Sequence, residues 1–143
     1  MDFELCKKEH LKQVEPDQDK IASIRQMCKA RQKLLVKAEL DSETAPVIAS
    51  DYYEIIKELL IALLLKNSLK SDNHECLISF FKKNYPQYDY EAKIMHQLKE
   101  VRNRASYDGV FVREEYVQNN ILEFKGIIEL LNKLIEEQKE LMA

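Results

Sequence analysis

Tryptophan is absent from this 143-residue chain, glycine occurs twice and proline three times. Average usage is about 7% glycine and about 5% proline. So few turn formers and chain breakers leave little room for a many-turned architecture. Leucine, lysine, glutamate, isoleucine and alanine dominate instead, and the composition argues for an all-α fold. Long hydrophobic runs are also missing. The most apolar one, LLIALLL from Leu59 to Leu65, falls well short of the roughly 20 residues of a membrane span. The first ten residues, MDFELCKKEH, mix charge with apolar side chains and lack the apolar core of a signal peptide. A cytoplasmic protein with no membrane contact is expected. Cysteine is scarce and odd in number: Cys6, Cys28 and Cys76 form no C-x-x-C pair, which predicts free, reduced thiols. A net charge of -3 gives no global attraction for nucleic acid, so any such contact must use a local basic patch. Phosphate-binding loops, dinucleotide-binding glycine patterns, nucleophile elbows and zinc-protease motifs are absent. No cofactor is expected.

What is present is helical periodicity, in a length that suits one domain (1–143) with an uncertain N-terminal segment at 1–16. A first long helix is expected over Asp17 to Leu40, with Ile21, Ile24, Cys28, Leu35 and Ala38 facing inward. A second starts between Pro46, which suits a first helical turn, and Asp51, which with Glu54 would form a capping box. It runs to about Asn67 and is apolar on every side at Leu59 to Leu65, so it should be the central helix. Asp72 and Glu75 predict a capping box for a short helix, HECLISFFKKN, that stops before Pro86. From Asp89 a further helix aligns Ile94, Leu98, Val101 and Ala105, and should end at Asp108-Gly109. The last helix, from about Arg113 to Leu141, buries Ile121, Phe124, Ile128, Leu131 and Ile135. The expected architecture is an up-and-down bundle of about four to five helices.

One segment stands apart from this plain amphipathic pattern: RNRASYDG, Arg102 to Gly109. Arg102, Asn103, Arg104, Ser106, Tyr107 and Asp108 are its candidate binding residues, and Arg102, Asn103 and Tyr107 the candidates for any catalysis. The guanidinium of Arg102 suits a phosphate through its planar fork, and Tyr107 suits base stacking. On an ideal helix Arg102 aligns with Ser106 and Asn103 with Tyr107, while Arg102 and Tyr107 are about 140° apart. Bringing those two together therefore needs a helix end nearby or a second chain.

Other constellations are weaker. Six cations and no acid lie between Lys20 and Lys37, and the stripe of Arg25, Lys29 and Lys33 is a secondary basic patch against the simpler reading of a solvated face. Cys6 and His10 have i, i+4 spacing but no second ligand pair, so no metal site is expected. His74 reads as a structural first-turn residue, and His96 should face outward. Glu114-Glu115 and Glu136-Glu137 read as solvent-facing helix charge.

The helix order, with DYYEIIKELLIALLLKNSLK, SDNHECLISFF, VRNRASYDG and a long final helix, resembles the HEPN family over roughly Asp51 to Met142. Its signature is an arginine, usually with a polar residue after it, and a histidine four to six residues on; Arg102 and Asn103 match the first half. The resemblance implies an all-α homodimer with a cleft between subunits, and in active members metal-independent RNA cleavage. It also implies RNA or nucleotide binding in others, and a toxin paired with a minimal nucleotidyltransferase antitoxin in many. Here Tyr107, Asp108 and Gly109 stand where the histidine would be. RNA cleavage through the 2′-hydroxyl needs a proton acceptor near neutral pH, which imidazole supplies and tyrosine, with a pKa near 10, does not. The expectation is a binding component of a toxin-antitoxin or defence system that does not cleave. The alternatives are a metal-independent ribonuclease toxin with a rearranged site, and a structural protein-protein interaction module.

Overall fold

The computed structural model describes residues 2–137. Within them lie six α-helices and one two-stranded sheet: α1 (Phe3–Glu9), β1 (Leu11–Gln13), α2 (Gln18–Leu35), α3 (Ala45–Lys66), β2 (Leu69–Ser71), α4 (His74–Asn84), α5 (Asp89–Tyr107) and α6 (Glu114–Glu136). A single 3-10 turn, Pro86–Tyr88, joins α4 to α5. The all-α bundle is as expected. Its extra parts, α1 and the strands, come from the N-terminal segment and the α3–α4 connection. The expected extension of the last helix to Leu141 and the family resemblance to Met142 lie outside the described residues.

Each helix forms where its chain chemistry directs. Asp17 caps α2 by accepting from the Lys20 N–H at 3.0 Å. The helix ends at Leu35, sooner than its apolar spacing suggests, and leaves Ala38 exposed. Pro46 settles the start of α3: it lies in the first turn, where a missing N–H costs nothing. The loop before it closes on itself, since Asp41 accepts from the Glu43 and Thr44 N–H groups at 2.8 and 2.9 Å. The Thr44 hydroxyl accepts in return from the Asp41 N–H at 2.9 Å. Asn73, not Asp72, caps α4, accepting from the Glu75 N–H at 2.8 Å. Asp72 instead holds His10 at 2.8 Å.

Helix α3 is the axle of the bundle, packed against α2, α4, α5 and α6. Leu59, Leu60, Leu63 and Leu64 are all at most 2% exposed, and each such side chain contributes roughly 1.5–3 kcal/mol of burial. Ser68, with φ of +61°, turns the chain out of α3. It leads into β2, which pairs antiparallel with β1 in the register Leu11 to Ser71 and Gln13 to Leu69.

That pairing brings α1 against α4 and overturns one expectation. Cys6 and Cys76 are joined in a disulfide across 70 residues, so only Cys28 is free. Sequence spacing offered no sign of this, because the two thiols lie 70 residues apart and meet where α1 packs on α4. Burial pushes the Cys28 thiol up to about 11, with Glu58 adding to the rise, which makes it inert at neutral pH. A loop of that length restrains the unfolded chain by about 4 kcal/mol. Intact-mass analysis should therefore show one thiol reacting under denaturing, non-reducing conditions and three after reduction. Reduction should lower the unfolding free energy by about that amount; three reactive thiols without reductant would refute the bond.

Candidate functional site

Three helices converge on Arg102. From α3 comes Tyr53, 3% exposed, followed at its edge by Glu54 and, one turn along, Lys57. Lys57 Nζ lies 2.7 Å from Glu54 Oε1 and 3.7 Å from Glu58 Oε1. The first turn of α4 supplies His74 and Glu75. From α5 come Lys99, Arg102, Asn103 and Tyr107. Lys99 is 4% exposed, and its ammonium donates to Glu75 Oε1 at 2.9 Å and lies 3.6 Å from Glu100 Oε1. This ion pair fastens α4 to α5 one turn before Arg102.

Arg102 lies between two aromatic rings. Its Cζ is 5.5 Å from the centroid of Tyr53 and 5.9 Å from that of Tyr107, both within cation-π range. Nη1 donates to Asn103 Oδ1 at 3.3 Å, and Nε is buried without a partner. An orphaned buried donor costs roughly 1–3 kcal/mol, so the guanidinium has an unmet demand for an oxygen acceptor. Burial, against the opposing charge of Arg102, pushes the Tyr53 phenol up to about 12. Partial burial and the Lys57 charge, with Arg102 contributing, hold His74 below the ordinary imidazole value.

The structure gathers Arg102, Asn103 and Tyr107 within one chain. Tyr107 is the last residue of α5, where the helix end frees its ring to fold back on Arg102, and no second copy is needed for that contact. Gly109, at φ of +67°, completes the stop, and the Arg104 carbonyl accepts from both Asp108 and Val110. The other candidates diverge. Arg104 lines a separate groove with Phe111, Arg113 and Tyr116, and its charge acts on the Tyr116 phenol, which burial pushes up to about 12. Ser106 and Asp108 are exposed at the helix end.

The basic patch is thinner than its sequence suggests. Arg25 donates from Nε to Asn132 Oδ1 at 2.9 Å and from Nη2 to Glu136, tying α2 to α6. Lys29 and Lys33 remain exposed. Glu136 is thus an interhelical partner, while Glu114 and Glu115 occupy the first turn of α6. His96 is exposed and 3.9 Å from Glu100 Oε1. Cys6, spent on its disulfide, has no thiolate to offer a metal beside His10.

Sequence reasoning missed Tyr53, Lys57 and Lys99, and read His74 as structural. A signal existed for Lys99: Ala92, Met95, Lys99 and Arg102 form a second 3, 4, 3 stripe on α5, and the first three are buried. Tyr53 offered none, because it reads as one more large residue on an apolar helix. Compared with known proteins, the chain matches no family model, no curated protein and no solved structure.

The Lys99 hydrogen bond and charge hold the Glu75 carboxyl below its usual value. Its stabilisation is therefore complete above the unfolded pKa of about 4.3 and fades as pH falls through the lower folded value. Glu75 is 41% exposed, so water screens the pair. Glu75→Gln should cost about 1–2 kcal/mol at neutral pH, and urea unfolding should show the difference shrinking in acid. An unchanged midpoint at neutral pH would mean that the pair carries no stability.

Proposed function

We propose that this is a HEPN-like domain that binds RNA or a nucleotide through the Arg102 cluster. The carrying observation is the guanidinium set between Tyr53 and Tyr107 with its Nε buried and unpartnered. A guanidinium with no carboxylate partner suits a phosphate, and the exposed Tyr107, with 74% of its surface free, offers a face on which a base stacks. Tyr53 does not suit proton transfer at neutral pH, since burial pushes its phenol up to about 12. Binding without turnover follows.

The homodimer belongs to the same reading. Val110 and Phe111 are 50% and 61% exposed beside Tyr107, an apolar edge suited to a two-fold contact that faces one cluster with its copy. The reading extends to a toxin-antitoxin or defence role in the cytoplasm, with a minimal nucleotidyltransferase as partner. In a reducing compartment the disulfide would rely on its burial, as Cys6 and Cys76 are both fully enclosed and thiolate attack needs access. One observation favours a ribonuclease instead: His74 supplies an imidazole within the electrostatic reach of Arg102.

At low salt a short fluorescent oligoribonucleotide should bind the wild type, and Arg102→Ala should weaken it about tenfold or more, the loss of one charge-assisted contact. Equal binding by both would remove Arg102 from the site, and cleavage by wild type but not by Arg102→Ala would establish the ribonuclease. Sedimentation should show a dimer that Phe111→Glu shifts toward monomer; a wild-type monomer at all concentrations would exclude the two-fold cleft.

A further inference from the structure

The cluster contains one ionisable ring that the helix carrying Arg102 does not supply. His74 opens α4 and is only partly covered. The turn it begins is fastened to α5 by the 2.9 Å bond between Glu75 and Lys99, one helical turn before Arg102 and Asn103. Lys57 lies one turn beyond Tyr53, whose ring centroid is 5.5 Å from Arg102 Cζ. The charges acting on His74 from the packed helices are Glu54, Lys57 and Glu58 on α3 and Arg102 on α5, with Glu75 next to it on α4.

These charges are unequally matched. Lys57 is paired with Glu54 and Glu58, and Lys99 with Glu75 and Glu100. Arg102 has aromatic rings and the Asn103 amide oxygen instead of a carboxylate. An anion entering the cluster therefore finds Arg102 as the cation without a carboxylate, and His74 as the neighbouring group able to acquire a charge.

Building on the binding reading above, we infer that His74 is the second phosphate-holding group of this site. Its imidazolium N–H donates to the phosphate that Arg102 holds, and binding takes up one proton from solvent. No covalent bond to phosphorus forms or breaks. In the empty site partial burial, Lys57 and Arg102 favour the neutral ring. A phosphate between the two groups reverses the sign of the local field and favours the charged ring. By linkage, affinity then rises as pH falls, by at most tenfold per pH unit for one proton.

The test uses probes of fixed charge, a short oligouridylate and the methyl ester of uridine 5′-monophosphate, because phosphodiesters keep their charge across the range in which histidine titrates. Affinities of the full chain are measured from about pH 8 to about pH 5 for wild type, His74→Gln and His96→Gln. Wild type and His96→Gln should both tighten about tenfold on acidification for at least one probe, and His74→Gln should lose that gain. The probe that responds identifies the ligand as a strand or a single nucleotide. If His74→Gln keeps the full gain, or wild type binds with no pH dependence, the role of His74 is overturned and the binding reading stands. If wild type binds neither probe at any pH, both are overturned. Matching circular dichroism of the variants excludes misfolding as the cause of a loss.

Discussion

A helix that is apolar around its whole circumference has no face to give to water, and α3 is such a helix along Leu59–Leu65. Everything else in the molecule is arranged by the need to cover it. Helices α2, α4, α5 and α6 pack around it, and Phe80, Phe81, Leu98, Phe124 and Leu131 close over it, none more than 1% exposed. Because interiors are packed at crystal-like density, the positions of the surrounding helices are set by the shapes of these contacts. The site inherits its geometry from that packing.

The inheritance is visible at Tyr53. It is an inward residue of the covered helix, yet its ring is also a platform for the guanidinium of α5. Around it the cations are held back from one another by their own carboxylates, Lys57 by Glu54 and Lys99 by Glu75. Burying Lys99 is tolerable only because that partner is fixed in place, since an unpaired buried ammonium is among the costliest groups a fold can carry. Arg102 escapes this pairing. Its delocalised charge is weakly hydrated and accepts aromatic faces in place of a carboxylate.

At this same N-terminal end of α4 the N-terminal segment is held by interactions of three kinds: the β1–β2 ladder, the His10–Asp72 contact and the Cys6–Cys76 bond. Two of these end within two residues of His74. The base of the candidate site is thus braced by a part of the chain that periodicity alone left without structure. Short strands lack the repeats that make a helix recognisable, and β1 and β2 have only three residues each.

What the sequence by itself determined is the helical class, the central position of α3 and the stop at Gly109. These depend on local periodicity, on capping chemistry and on the freedom of glycine at positive φ, all written within a few neighbouring residues. The alternatives left open at the start of α3 were decided by the early position of Pro46. Only the tertiary structure decided that Cys6 meets Cys76, that Arg25 is spent on α6, and that Tyr53, Lys57, His74 and Lys99 join Arg102. Such pairings link residues far apart in the chain, and their energies exist only once the bundle has brought the partners within contact distance. Local pattern cannot encode them separately from the fold that creates them.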